Sequence, residues 1–209
     1  MSYGIAVVTP ASPTIAVTAA EAKTHCRIDS GITDFDTWFA NAIAAAQEYV
    51  ERWTHRILLS STWDIKFDRF PGGSEAFAIP LIPLASVTSV SYRDSAGDLQ
   101  VWSSSNYVVS ADREPGIIRP AYSVVWPTTR AQPDAVIVRV VAGYSAAATV
   151  PQGLKYAILL LVGHWFANRE SVVVGTISGK LEQTVDSLCQ SFRVGDEFTC
   201  YEPANSATP

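Results

Sequence analysis

The sequence predicts an α+β chain, a small helical bundle interrupted by an antiparallel β domain. Three observations predict it. Apolar residues recur at three- and four-residue steps up to about residue 54. They alternate at two-residue steps between about 60 and 143, then return to helical spacing. Finally, 48% of the 209 residues are hydrophobic and 17% are charged, which excludes a disordered chain and leaves ample material for a core.

Residues 1–17 hold Pro10 and Pro13 and no helical period, and read as an extended arm. Thr18 and Glu21 have capping-box spacing and open a helix near 18–28, which Asp29-Ser30-Gly31 stops. Thr33 and Asp36 repeat the spacing ahead of a helix near 34–54. Its stripe runs through Phe35, Trp38, Phe39, Ala42, Ile43, Ala46, Tyr49, Val50 and Trp53, with Glu48 and Arg52 paired on the outer side. The β insert is expected near 59–148. Trp63 to Asp68 alternates apolar with charged, Val87 to Tyr92 is β-branched, and Asp94 to Asp98 is a hairpin turn. Tyr107 to Ser110 and Gly116 to Arg119 are short strands, and Val136 to Val141 is the strongest. Thr149 and Gln152 mark a third capping box, with Pro151 in the first turn of a helix near 150–168. That helix is apolar on most faces, as expected of one central to a core or an assembly. Leu181, Val185, Leu188 and Phe192 mark a last helix near 180–192. The resulting organisation is arm 1–17, bundle 18–58 and 149–193, β insert 59–148 and a polar, acidic tail 194–209.

The net charge of −5 is spread evenly: four basic against six acidic residues in 1–58, seven against eight in 59–150, and four against six in 151–209. No segment carries the basic footprint of a nucleic-acid binder. Cys26, Cys189 and Cys200 are odd in number and far apart, which favours reduced thiols over a disulfide framework. The start, Met1-Ser2-Tyr3-Gly4, lacks the positive segment of a signal peptide. The run from Tyr156 to Phe166 is too short for a membrane span. A soluble intracellular chain with no membrane contact is expected.

Catalytic patterns are weak. Gly175 to Lys180 has three residues between its glycines where a phosphate-binding loop has four, and Leu181 stands where Ser or Thr would hold Mg²⁺. His25, His55 and His164 form no short-spaced metal set, and adjacent His25 and Cys26 point about 100° apart on a helix. His164 reads as a hydrogen-bonded core or interface residue. No Gly-x-Ser-x-Gly elbow occurs. Asp64 and Asp68 share a strand face, the solvated one. Trp126, ahead of Pro127, and Trp102 lie off the core stripes and are candidate interface residues. No catalytic residue, metal or cofactor is expected.

Thr18-Ala-Ala-Glu-Ala-Lys-Thr-His-Cys-Arg-Ile-Asp29 resembles the opening of tailed-phage head–tail connector (adaptor) proteins, in the long form that carries a β insert. The likeness continues through Ala44-Ala-Ala-Gln-Glu-Tyr-Val-Glu51, Ser61-Thr-Trp63, Asp68-Arg-Phe-Pro71 and Ile79 to Val90. It is most specific in Glu114-Pro-Gly116, Arg119-Pro120, Trp126-Pro127, Val140-Val-Ala-Gly-Tyr144, Val150-Pro151 and Ala157 to Glu170. It covers about 18–192. Two departures stand out. His55 replaces a frequent Gly, so the helix is expected to run on there. Leu181-Glu182 replaces a frequent Leu-Pro.

The resemblance implies a structural virion protein without enzymatic activity, assembled in the host bacterial cytoplasm. Its copies would form a ring, twelve in the virion, under the portal protein. The ring would present a docking surface to a tail stopper or tail-completion protein, and DNA would pass through the bore without sequence-specific binding. The candidate partner-binding residues are Phe192, Arg193, Phe198, Tyr201 and Trp126. Phe198 and Tyr201 are the only large apolar groups of the tail, whose ordering must be offset by a partner. The competing readings are another tail-completion protein, and a hydrolase or carbohydrate-binding module built on the β insert.

Overall fold

The computed structural model describes residues 3–11, 15–29, 31–168 and 178–194. It is an α+β structure whose described residues divide into two compact units, one drawn from 3–11, 60–143 and Val194, the other from within 15–59 and 144–193.

The first unit contains eight strands among the described residues: β1 Tyr3–Thr9, β2 Ser61–Phe67, β3 Phe77–Ile79, β4 Leu84–Arg93, β5 Leu99–Trp102, β6 Tyr107–Ser110, β7 Gly116–Pro120 and β8 Val136–Ala142. They form a five-stranded sheet, β1-β2-β8-β4-β5, and a three-stranded sheet, β3-β7-β6, antiparallel throughout. The alternation read in β8 sends Val136, Val138, Val140 and Ala142 inward. The two sheets face each other across an aromatic core. Phe67 of one meets Phe77 of the other at 5.3 Å between centroids, and Trp102 stacks on Tyr107 at 5.6 Å. Gly116 is required here, because a Cβ would run into the Leu84 side chain opposite. The Asp94 to Asp98 hairpin is closed by the Asp94 carboxylate, which accepts from the N–H groups of Ala96, Gly97 and Asp98, each at 3.0 Å.

Residues 3–9, expected as an extended arm, are a strand of the β unit. They are extended, and β1 pairs along β2 from Tyr3↔Phe67 to Val7↔Trp63, with a bulge before Thr9. Uncharged and rich in β-branched residues, the segment satisfies its backbone by adding to a sheet. Ala16 and Val17, also in the expected arm, are buried in the second unit.

The second unit holds α1 Ala19–His25, α2 Asp36–Thr54, α3 Gln152–Ala167 and α4 Ser178–Gln190. The α2 stripe buries Phe39, Ile43, Ala46 and Val50 completely, against Leu154, Ala157, Ile158, Leu161 and Val162 of α3. Phe166 stacks on Phe39 at 5.3 Å. Each of the larger side chains, from valine to phenylalanine, contributes about 1.5–3 kcal/mol on burial.

The helix boundaries correct several expectations. The Thr18–Glu21 capping box forms, but α1 ends at His25 because Arg27 takes a left-handed φ of 58°. The second box does not form. The Asp36 carboxylate pairs instead with Lys23, whose buried ammonium also donates to the Ile32 carbonyl at 2.7 Å. The third box does not cap α3 either, since Thr149 turns back to accept from the Ala146 N–H at 3.2 Å. Helix α2 does not run through His55. That residue itself adopts the left-handed conformation, φ 56°, and Arg56 N–H closes on the Glu51 carbonyl. This is a Schellman closure with histidine in the glycine position.

Candidate partner-binding surfaces

The residues that could carry chemistry have structural partners. His25 and His164 line a shallow hollow of the helical unit with Cys26, Leu160, Gly163 and Phe166. The His25 ring lies over Gly163, where a Cβ would be only 3.1 Å from it, and meets Tyr156 edge-on. His164 Nδ1 is 3.3 Å from the Asn168 amide nitrogen. Burial pushes the Cys26 thiol up, away from reactivity. Cys189 is pushed up to about 11 by burial and the neighbouring Asp186 carboxylate. Among the described residues no group of three or more His, Cys, Asp and Glu side chains could hold a metal ion, and no helix is long and apolar enough to cross a membrane. Asp64 and Asp68 do not act as a pair. Asp64 holds Arg139 through two hydrogen bonds of 2.7 and 2.8 Å, and Asp68 accepts from the Asp134 N–H at 3.2 Å. Of the phosphate-loop-like stretch, residues 175–177 lie outside the described residues and 178–180 open α4.

The candidate binding residues fall in different places. Trp126 is not a surface residue. It is 7% exposed, stacked on Phe70 at 4.6 Å and 4.7 Å from Trp102, and its indole N–H donates to the Glu75 carbonyl at 2.7 Å. Its segment is not a strand, so no local period marks it as core. Trp102 is likewise buried. Phe192 is half-buried beside Gly153, and its carbonyl accepts from Arg56 Nε at 2.5 Å. Arg193 is exposed and its guanidinium lies 5.1 Å over the Trp53 ring. Phe198 and Tyr201 lie outside the described residues.

Three apolar surfaces were not marked in advance. Tyr49, 39% exposed despite its place in the stripe, lines a groove with Trp53, Trp165 and Arg52. Val108, Val125 and the almost fully exposed Tyr122 form a patch on the β unit. The edge strands β1 and β5 expose Ile5, Val7, Val8, Leu99 and Val101. Only the absence of charge over 3–9 and 99–102 signals the last of these in sequence.

No family model and no curated protein matches the chain. Solved structures do. A chain in the neck of an empty GTA particle computed with C6 symmetry aligns over 92% of this chain and 96% of its own, with a TM-score of 0.72 at 21% identity. A chain in the virion of a native gene transfer agent (GTA) particle aligns over 91% and 95%, TM-score 0.70, 21% identity. A third, in the neck of the native GTA particle computed with C12 symmetry, aligns over 92% and 96%, TM-score 0.70, 20% identity. The fold is theirs. It covers both units and nearly the whole length of each partner in the alignment, so it is not a borrowed fragment.

Proposed function

We propose that this chain is a structural virion protein of the head–tail neck, an adaptor that forms a ring beneath the portal and offers the tail stopper or tail-completion protein its seat. The observation that carries the reading is the likeness to neck chains over 92% of the sequence, with both units included. Two features suit it. The surface that the fold leaves apolar is divided among a helical groove, a β patch and two sheet edges, as a subunit with several neighbours requires. The evenly spread acidic balance suits a conduit through which DNA slides without sticking. In this reading the protein binds no cofactor and catalyses nothing, and copies assemble in the host cytoplasm into a ring, twelve to a virion, that matches the portal. The test is genetic and structural. A virus lacking the protein is expected to accumulate DNA-filled heads without tails, and the purified protein to co-sediment with portal rings. Normal tailed particles in its absence would overturn the proposal.

A further inference from the structure

The five-stranded sheet ends in two edges that no described strand covers. At one end β1 leaves Ile5 42%, Val7 52% and Val8 41% exposed, and at the other β5 leaves Leu99 54% and Val101 72% exposed. Edge strands that must stay single carry charges, proline or repeated bulges. Neither of these strands contains a charged residue or an internal proline, and the bulge at Val8 leaves the five residues from Tyr3 to Val7 in regular register. The two edges also match. Ile5, Ile65, Val138, Val90 and Trp102 form one row across the core-facing side. By alternation Gly4 and Ala6 share the opposite face with Leu99 and Val101. On that face β1 is shallow, with open space where Gly4 lacks a side chain, whereas β5 projects two branched residues. Because each neighbouring pair is antiparallel, β1 and β5 run in the same direction.

We propose that β1 of one copy adds to β5 of the next as a parallel pair, so that the sheet continues from subunit to subunit. The contact is heterologous: it uses a different edge on each side, so it repeats from copy to copy rather than stopping at a dimer, and in the ring reading the repeat closes on itself. A two-fold contact of β1 on β1 would set shallow faces against each other and leave β5 bare. The inference rests on the ring reading above and names its subunit contact.

Val7→Lys and Val101→Lys test it, since both side chains are exposed and neither change should lower the melting temperature appreciably. Light scattering after size exclusion is expected to give concentration-dependent multimers for the wild-type protein and monomers for each variant alone. An equimolar mixture of the two variants retains one intact contact, so it should give twice the monomer mass and nothing larger. Val101→Lys assembling like wild type, a mixture that stays monomeric, or wild type that is monomeric at its solubility limit would each overturn the edge contact. Portal co-sedimentation is scored separately. Failure of the wild-type protein to bind portal sinks the neck reading and leaves the edge result standing, whereas portal binding with unaltered assembly of both variants sinks only the edge contact.

Discussion

Glu21 joins two distant parts of the helical unit through one carboxylate. It accepts from the Thr18 N–H at 2.7 Å and hydroxyl at 2.8 Å, and pairs with Lys155 of α3 at 3.1 Å. Partial burial pulls its pKa up, but the Thr18 hydrogen bonds and the Lys155 ammonium outweigh that and hold it below its ordinary 4.5. A carboxylate with a depressed folded pKa contributes stability above its unfolded pKa and loses it as the pH falls through the folded value. Glu21→Gln keeps the capping geometry but drops the charge, so it should cost roughly 0.5–1 kcal/mol at neutral pH. Thermal melts of both proteins at pH 7 and pH 3 check this: the gap is expected to narrow at pH 3, and a constant gap would count against the electrostatic account. The same scale explains why the sites were hard to foresee. Asp36 has capping-box spacing with Thr33, yet Lys23 claims it, and that buried ammonium would be costly without its partner. Trp126 and Tyr49 exchange roles, the first buried by three other aromatic rings and the second exposed at the margin of its stripe. Both outcomes depend on contacts far along the chain.

Elements with a strong local period were legible. The α2 stripe, the apolar α3 and the alternating β8 follow from spacing alone, because one face of each is buried throughout. β1 was not legible as part of a sheet. Its side chains are exposed on both faces, so it shows no alternation, and its partner β2 lies more than fifty residues away. The three-residue β3 is too short to show a period. The end of α2 near residue 54 was legible, but its closure at His55 was not, because histidine stands in a left-handed position usually given to glycine or asparagine. An L-residue there costs about 1–2 kcal/mol relative to glycine. His55 also makes a contact of its own, which glycine gives up. His55→Gly is therefore expected to stabilise the protein by about 0.5–1 kcal/mol. Denaturant unfolding measures this, and a loss of stability would mean that the histidine contact outweighs the backbone strain.

At the scale of the molecule, the two ends of the β insert lie side by side, since Ser61 and Ala142 are partners on adjacent strands. Such partners lie about 5 Å apart, a gap that a short link spans. A chain of residues 12–59 joined to 144–193 by a few Gly and Ser is expected to give a helical circular dichroism spectrum and a cooperative melt. A non-cooperative transition would show that the four helices need the insert to fold. The order of elements along the chain also bears on synthesis. β8, which starts at residue 136, lies between β2 and β4, and α3, which starts at residue 152, is the main packing partner of α2. Both cores thus receive their central pieces late. While the first 135 residues leave the ribosome, β2 and β4 have only their outer partners β1 and β5, and the α2 stripe lacks α3, so much of their apolar surface stays open to other nascent chains. The yield of folded protein is then expected to depend on how well the growing chain is sheltered until α3 emerges, as well as on the stability of the finished fold.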